Sequence, residues 1–214
     1  MLYSVTIFYY FRMSTVISHS LVGAGIASFF RFKNKKKILI TSLLLAALPD
    51  SDTLVMTAIG RGTIFDHRGV FHSIFFAILV GSLVSYLFKR KKWIESSEFI
   101  KLAILFSVVT FSHPFADGFS TSWRYGVSYL APFDMTKYFW FSSPLPLVPL
   151  SPVQLFSARG INIFLVEVAM LWTFVAGAFL WNKEPIKMNF RYAAIMLWLI
   201  ALGFWVVRIS ENIQ

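Results

Sequence analysis

Four histidines (His19, His67, His72 and His113) and five of the ten acids (Asp50, Asp52, Asp66, Asp117 and Asp134) carry most of the chemistry open to this chain. The absence of cysteine excludes thiolate zinc sites, disulfide scaffolds and cysteine nucleophiles. Carboxylate oxygens combined with imidazole nitrogens suit Zn²⁺, Mn²⁺ or Fe. Local spacing favours ligation. His113 and Asp117 stand four apart, so a helix carries both on one face. In Leu48-Pro49-Asp50-Ser51-Asp52 the proline removes a backbone hydrogen bond and kinks the helix, letting both carboxylates turn inward. His67 and His72 are five apart, roughly 140° around a helix, and would not share a face if both were helical. Gly69 therefore places His67 and Arg68 on a turn ahead of the helix that holds His72.

The elements that must position these groups follow from composition. Of 214 residues, 57% are hydrophobic and 14% charged, with a mean hydropathy of +0.67. A soluble domain carries roughly 25% charged residues, so a soluble enzyme is excluded, and so is disorder. Spans need about 20 mostly apolar residues. Six are predicted, at roughly 14–30, 38–58, 70–88, 99–117, 161–181 and 190–208, giving an all-α polytopic membrane bundle in a single domain, 1–214. Residues 1–12 read as an N-terminal extension ahead of Met13, with no cleavable signal peptide. The segment 118–160, rich in Pro, Ser and aromatics and without helical period, reads as an outer lid or interfacial platform.

The net charge of +10 does not point to nucleic acid, because the positives sit in short runs between apolar stretches. Three loops hold 13 of the 20 Lys and Arg residues: Arg31, Lys33 and Lys35 to Lys37; Lys89 to Lys92 with Lys101; and Lys183, Lys187 and Arg191. The six spans place all three on one side, which the positive-inside rule makes cytoplasmic. Counted from that side at the helical rise, His19, Asp50, Asp52, His72, His113 and Glu167 come to about 16–24 Å. Different helices thus deliver polar groups to one slab in the outer half of a core about 30 Å thick. A charge at mid-span costs about 2.5–3.5 kcal/mol even on the lenient insertion scale. A shared divalent cation removes much of that cost. A structural network of interhelical hydrogen bonds is the plainer alternative for any one of these residues. Asp66 and Asp134 read as turn residues, and Glu167 reads either as a support of the site or as a partner of Arg159 or Arg124.

The ordered succession Ser18-His19-Ser20, Leu48-Pro49-Asp50-Ser51-Asp52, His67-Arg68-Gly69-Val70-Phe71-His72-Ser73 and Ser112-His113-Pro114-Phe115-Ala116-Asp117 resembles the YdjM-type family, inner-membrane proteins of the LexA-regulated, metal-dependent hydrolase type. The resemblance continues through Leu130-Ala131-Pro132-Phe133-Asp134-Met135-Thr136-Lys137-Tyr138-Phe139 and Ser157-Ala158-Arg159-Gly160 to Glu167. That family is distantly similar to zinc-dependent phospholipase C and the P1-nuclease group. The resemblance implies a phosphoesterase site of two or three metals, with His19, Asp50, Asp52, His67, His72, His113 and Asp117 as ligands or their close supports.

The expected activity is metal-dependent hydrolysis of a phosphoester in a lipid or other amphiphile at the outer leaflet of a prokaryotic inner membrane. Two divalent ions, zinc first and Mn or Fe as alternatives, would activate the attacking water. Asp52 or Asp117 would accept its proton, and Arg68, at the cavity mouth, would clamp the phosphate. Arg124 and Lys137 would hold the headgroup, and no nucleic-acid partner is expected. The competing expectations are a metal- or proton-coupled transporter and a membrane protein whose metal only staples helices.

Overall fold

The structure is a computed structural model, described for residues 15–60, 62–119, 126–140 and 157–181, with positions 196, 199, 200 and 203. The predicted span 190–208 apart from those four positions, the extension 1–12, Arg61, Arg124 and much of 118–160 lie outside the described residues. The architecture is all-helical, and the described residues form no strand beyond an isolated antiparallel bridge between Val127 and Tyr138.

Helix α1 (Val16–Ser28) starts at Thr15, whose side chain accepts the Ser18 N–H as an N-cap. Helix α2 (Lys35–Ala47) runs into a 3-10 turn at Leu48–Ser51 and on into α3 (Asp52–Ile59). Pro49 sits in the first turn of that tightened stretch, where its missing N–H is tolerated, and the backbone changes pitch where Asp50 and Asp52 leave it. A loop and a second 3-10 turn, Val70–His72, lead to α4 (Ile74–Arg90), capped by the Ser73 hydroxyl. Helix α5 (Phe99–Asp117) carries Pro114 in its last turn, and α6 is Ala158–Trp181.

Among the described residues, two continuous stretches are long and apolar enough to cross a membrane, Lys35–Ile59 and Ser96–Asp117. Of the other predicted spans, α1 is a shorter apolar helix of 13 residues, and α4 has 17. Six crossings remain a reading of the sequence.

The helices pack α1 on α2, α5 and α6, and α4 on α5. Close approach explains two of these pairs. A Cβ at Gly23 would meet Ser42 O at 2.7 Å and Ala46 Cβ at 2.5 Å, so α1 presses backbone against α2 there. Gly81 does the same on α4, where a Cβ would come within 2.5 Å of Ser107 N on α5. The main apolar core, built on Ile38, Leu45, Phe88, Leu102, Leu105, Phe106 and Val109, fills the part of the bundle towards the basic loops. The histidines and aspartates occupy the other end.

Candidate metal centre

Five segments converge at that end. His19 comes from α1, and Asp50 and Asp52 from the 3-10 break between α2 and α3. His67, Arg68 and His72 come from the loop and turn before α4, and His113 and Asp117 from the last turns of α5. Ligand atoms of Asp50, His72, His113 and Asp117 all lie within 4.8 Å of one another, and those of Asp52, His67 and His72 form a second such group. Buried Asp and His side chains in this geometry can bind a metal ion.

The distances define two layers. In the inner one, His113 Nε2 lies 3.0 Å from Asp50 Oδ1 and 3.6 Å from Asp117 Oδ2. His72 Nε2 is 3.4 Å from Asp117 Oδ2 and 3.9 Å from Asp50 Oδ1. His19 Nε2 faces Asp117 Oδ1 at 3.6 Å, and its ring stacks on His113 with centroids 3.8 Å apart. In the outer layer, Asp52 receives the His67 Nδ1–H at 3.0 Å and the Arg68 backbone N–H at 2.9 Å, and it lies 3.0 Å from His72 Nδ1.

One contact decides what the inner layer is built to hold. His113 Nδ1 is 2.7 Å from the Ala46 carbonyl oxygen. A carbonyl has no proton to give, so Nδ1 carries the hydrogen and the ring presents Nε2 to Asp50. An imidazole lone pair and a carboxylate oxygen 3.0 Å apart repel unless a cation lies between them, whether a proton or a metal ion. His19 Nε2, His113 Nε2 and both oxygens of Asp50 are sealed from solvent and make no hydrogen bond, the state of ligand atoms aimed at an ion. Counted as ionised, the three aspartates outnumber Arg68, the one permanent cation buried with them among the described residues, by two charges, which one divalent ion cancels. The donor set, oxygen and imidazole nitrogen without sulfur, fits such an ion.

Arg68 is placed differently from the sequence expectation. It is 1% exposed, within the cluster and not at its mouth, with Nε 3.3 Å from Asp117 Oδ2. Its backbone is left-handed, φ 63°, a conformation uncommon outside glycine. That turn directs its N–H to Asp52 at 2.9 Å and its carbonyl to the Ser128 N–H at 3.0 Å. His67 is the most open of the set, its side chain 17% exposed. Withdrawal from water holds it below the ordinary imidazole value despite Asp52. Lys137 stands on the rim, donating Nζ–H to the carbonyls of His67 at 3.1 Å and Arg68 at 3.0 Å. Loss of solvation, with Arg68 nearby, brings its pKa down to about 8.

The remaining residues fall outside the inner layer. Glu167, fully buried on α6, accepts from the Thr15 N–H at 2.8 Å, the Thr15 hydroxyl at 2.6 Å and the Ser18 hydroxyl at 2.9 Å. It holds the start of α1, one residue from His19. Arg124 and the side chain of Arg159 lie outside the described residues. Asp66 accepts the Gly62 N–H and Asp134 the Thr136 N–H, each as a loop turn. The sequence reading missed Thr15 and Ser18 as partners of Glu167, although Thr15 ahead of an apolar run is a recognisable cap signal. It also missed the Ala46 carbonyl, which no side-chain pattern reveals.

Residues 13–209 match the family model described as YdjM inner membrane protein, and the chain belongs to that family. It is similar to the inner membrane protein YbcI of Escherichia coli (strain K12), 28% identical over 168 residues that cover 75% of this chain and 91% of that protein. No solved structure matches.

Proposed function

We propose that this member of the YdjM family is a multi-pass, metal-dependent hydrolase that cleaves a phosphoester of a lipid or other amphiphile on the extracytoplasmic side of the inner membrane. The observation that carries the reading is the sealed quartet Asp50, His72, His113 and Asp117, with ligand atoms within 4.8 Å and the His113 ring set by Ala46 at 2.7 Å. A structural hydrogen-bond network leaves its donors and acceptors paired; here His113 Nε2 and both oxygens of Asp50 face each other without a hydrogen bond.

In this reading His19, Asp50, His72, His113 and Asp117 would hold divalent metal, zinc by the donor set, and Asp52, His67 and His72 are the group that would hold a second ion. A metal held there would supply Lewis acidity, enough to bring the pKa of a water molecule to about 7. The chain's own residues do the rest. Asp52, already accepting from His67 and from the Arg68 backbone, braces His67 and His72 in the manner of a carboxylate behind a ligating imidazole. Asp117 Oδ1 accepts a proton from the attacking water. Arg68 offers a fixed cation to the phosphoryl oxygens. As the bond from phosphorus to the leaving oxygen breaks, the proton returns from Asp117 to the departing alkoxide, so the products are an alcohol and a phosphate ester or phosphate.

A transport reading finds less support. Towards the basic loops the site is followed by Leu105, Phe106 and Leu102, each 0% exposed, and among the described residues that layer holds buried hydroxyls such as Ser42 and Ser85 but no carboxylate or imidazole to pass an ion on.

The test is elemental analysis of detergent-purified protein beside an Asp117→Ala variant, with turnover of phosphodiester and phospholipid substrates. Divalent metal at one to two equivalents, EDTA-sensitive turnover and loss of most of the metal in a still-helical Asp117→Ala protein are expected. Full metal content in the variant sinks the ligand assignment. Metal without turnover leaves a staple and sinks the hydrolase.

A further inference from the structure

The loop Gly126–Trp140 is firmly built. Val127 and Tyr138 exchange backbone hydrogen bonds at 2.7 and 2.9 Å, and the tip closes as the Phe133 and Asp134 N–H groups both donate to the Leu130 carbonyl. Two helices fix it. The Ile74 N–H at the start of α4 donates to the Tyr129 carbonyl at 3.0 Å. On α5, the Tyr129 hydroxyl reaches Pro114 O at 3.1 Å and the Trp140 indole reaches Phe115 O at 3.0 Å.

A loop tied down this tightly still turns its apolar side chains outward. Phe133, at the tip, is 81% exposed, and Leu130, whose carbonyl closes the tip, is 43% exposed. Chance exposure of one phenylalanine needs no explanation, but a contiguous apolar patch marks a contact surface. This patch is continuous with another. The Phe133 ring packs edge-on against Phe75 at 5.0 Å. Phe75 begins a face of α4 that includes Ile78, Leu79, Leu83 and Leu87, all exposed. On a helix of a membrane protein that face borders acyl chains. Polar groups lie on the other part of the loop, where Asp134 accepts from Thr136 and Tyr138, and Lys137 grips the carbonyls of His67 and Arg68. An apolar tip followed by Asp, Thr, Lys and Tyr is the order of groups met on leaving the hydrocarbon for the headgroups.

We infer that the 126–140 loop is a membrane anchor: Phe133, with Leu130, inserts among the acyl chains of the leaflet away from the basic loops, and Lys137, bound to the His67 and Arg68 carbonyls, thereby holds the backbone beside the centre in the headgroup layer. The occupant of the patch is lipid. The placement does not require the site to hold metal or to turn over substrate, so it stands or falls apart from the hydrolase reading. If both hold, the anchor presents the centre to the phosphate of a bilayer lipid and not to a solute.

The chain contains no cysteine, so single Cys variants accept a nitroxide label at one place. Phe133→Cys and Thr136→Cys, each labelled and reconstituted in phosphatidylcholine–phosphatidylglycerol vesicles, are compared by the collision of the label with oxygen and with a nickel chelate in water. For position 133 the expected result is a several-fold higher ratio of oxygen to nickel collision than for position 136, with a depth inside the hydrocarbon boundary. Equal nickel accessibility at both positions places the tip in water and overturns the anchor. Strong spin–spin broadening at 133 means that a second copy of the chain covers the patch, and overturns it as well. Circular dichroism and retention time of the labelled proteins matching those of the parent show that the fold has not changed.

Discussion

At the scale of single residues, the centre divides into groups whose inward-facing oxygen or nitrogen atoms are hydrogen-bonded to protein and groups whose inward-facing atoms are not. Asp52 belongs to the first kind, with His67 Nδ1 at 3.0 Å and the Arg68 N–H at 2.9 Å. His19, Asp50 and His113 belong to the second. The distinction has a measurable consequence. Asp52→Asn keeps the shape but loses the charge that orients two imidazoles, and supporting groups of this kind are worth about 10–100-fold in metal affinity. The variant is expected to be purified with reduced metal that excess zinc restores, as read by titration against a chromophoric chelator. An unchanged dissociation constant would remove Asp52 from the support of the site. The identities of these residues were legible from type and spacing alone: i, i+4 for His113 and Asp117, a proline beside two aspartates, a glycine between two histidines. The direction of each ring was not. His113 is oriented by a backbone carbonyl 67 positions away, and every residue has a carbonyl.

At the scale of elements, α6 and α1 are joined by polar chemistry inside an otherwise apolar contact. Glu167 accepts three hydrogen bonds from Thr15 and Ser18, and these donors lie at the positive end of α1, where a carboxylate is favoured. Removing the acceptor strands buried donors at about 1–3 kcal/mol. Glu167→Ala is therefore expected to lower the Tm by several degrees and to loosen His19, whereas Glu167→Gln, retaining one carbonyl oxygen, loses less. Differential scanning fluorimetry of the two variants checks the order; equal loss in both would mean that volume and not hydrogen bonding matters at this position. Sequence reasoning placed Glu167 at the depth of the centre and offered it Arg159 or Arg124 as partners, whose side chains lie outside the described residues, and it missed the Thr15 and Ser18 hydroxyls. It likewise expected a kink at Pro49, and the 3-10 turn Leu48–Ser51 shows the form that kink takes. The turn lies between two helical runs, so Lys35–Ile59 remains one apolar stretch of 25 residues.

For the whole molecule the organising feature is polarity along the bundle axis. The apolar core and the basic loops share one end, and the histidines, aspartates and the 126–140 loop share the other. Aromatic rings tie the basic end together: Lys37 Nζ sits 3.9 Å from the Trp93 ring centroid and Lys101 Nζ 5.0 Å from that of Phe32, joining the loop before α2 to the one before α5. In the orientation proposed, the basic end faces the cytoplasm, as the positive-inside rule expects. Single cysteines at Ser96 and Thr136 are expected to react with an impermeant maleimide from opposite faces of the membrane, Ser96 only in inverted vesicles and Thr136 only in intact spheroplasts. Labelling of both from the same face would overturn the orientation and the extracytoplasmic placement of the centre.

What the sequence determined by itself was the helical class, the membrane setting, the family and the set of side chains that meet, because hydropathy and charge distribution are sums over residues and an intramembrane Asp or His is costly wherever its helix goes. Tertiary structure decided which of those side chains face one another without a proton donor between them, why Arg68 lies inside the cluster, and how Glu167 and Lys137 are used. Those outcomes depend on backbone carbonyls, a left-handed residue and the approach of α1 to α2 at Gly23. Each is a property of the packed chain that the same residues, read one after another, do not carry.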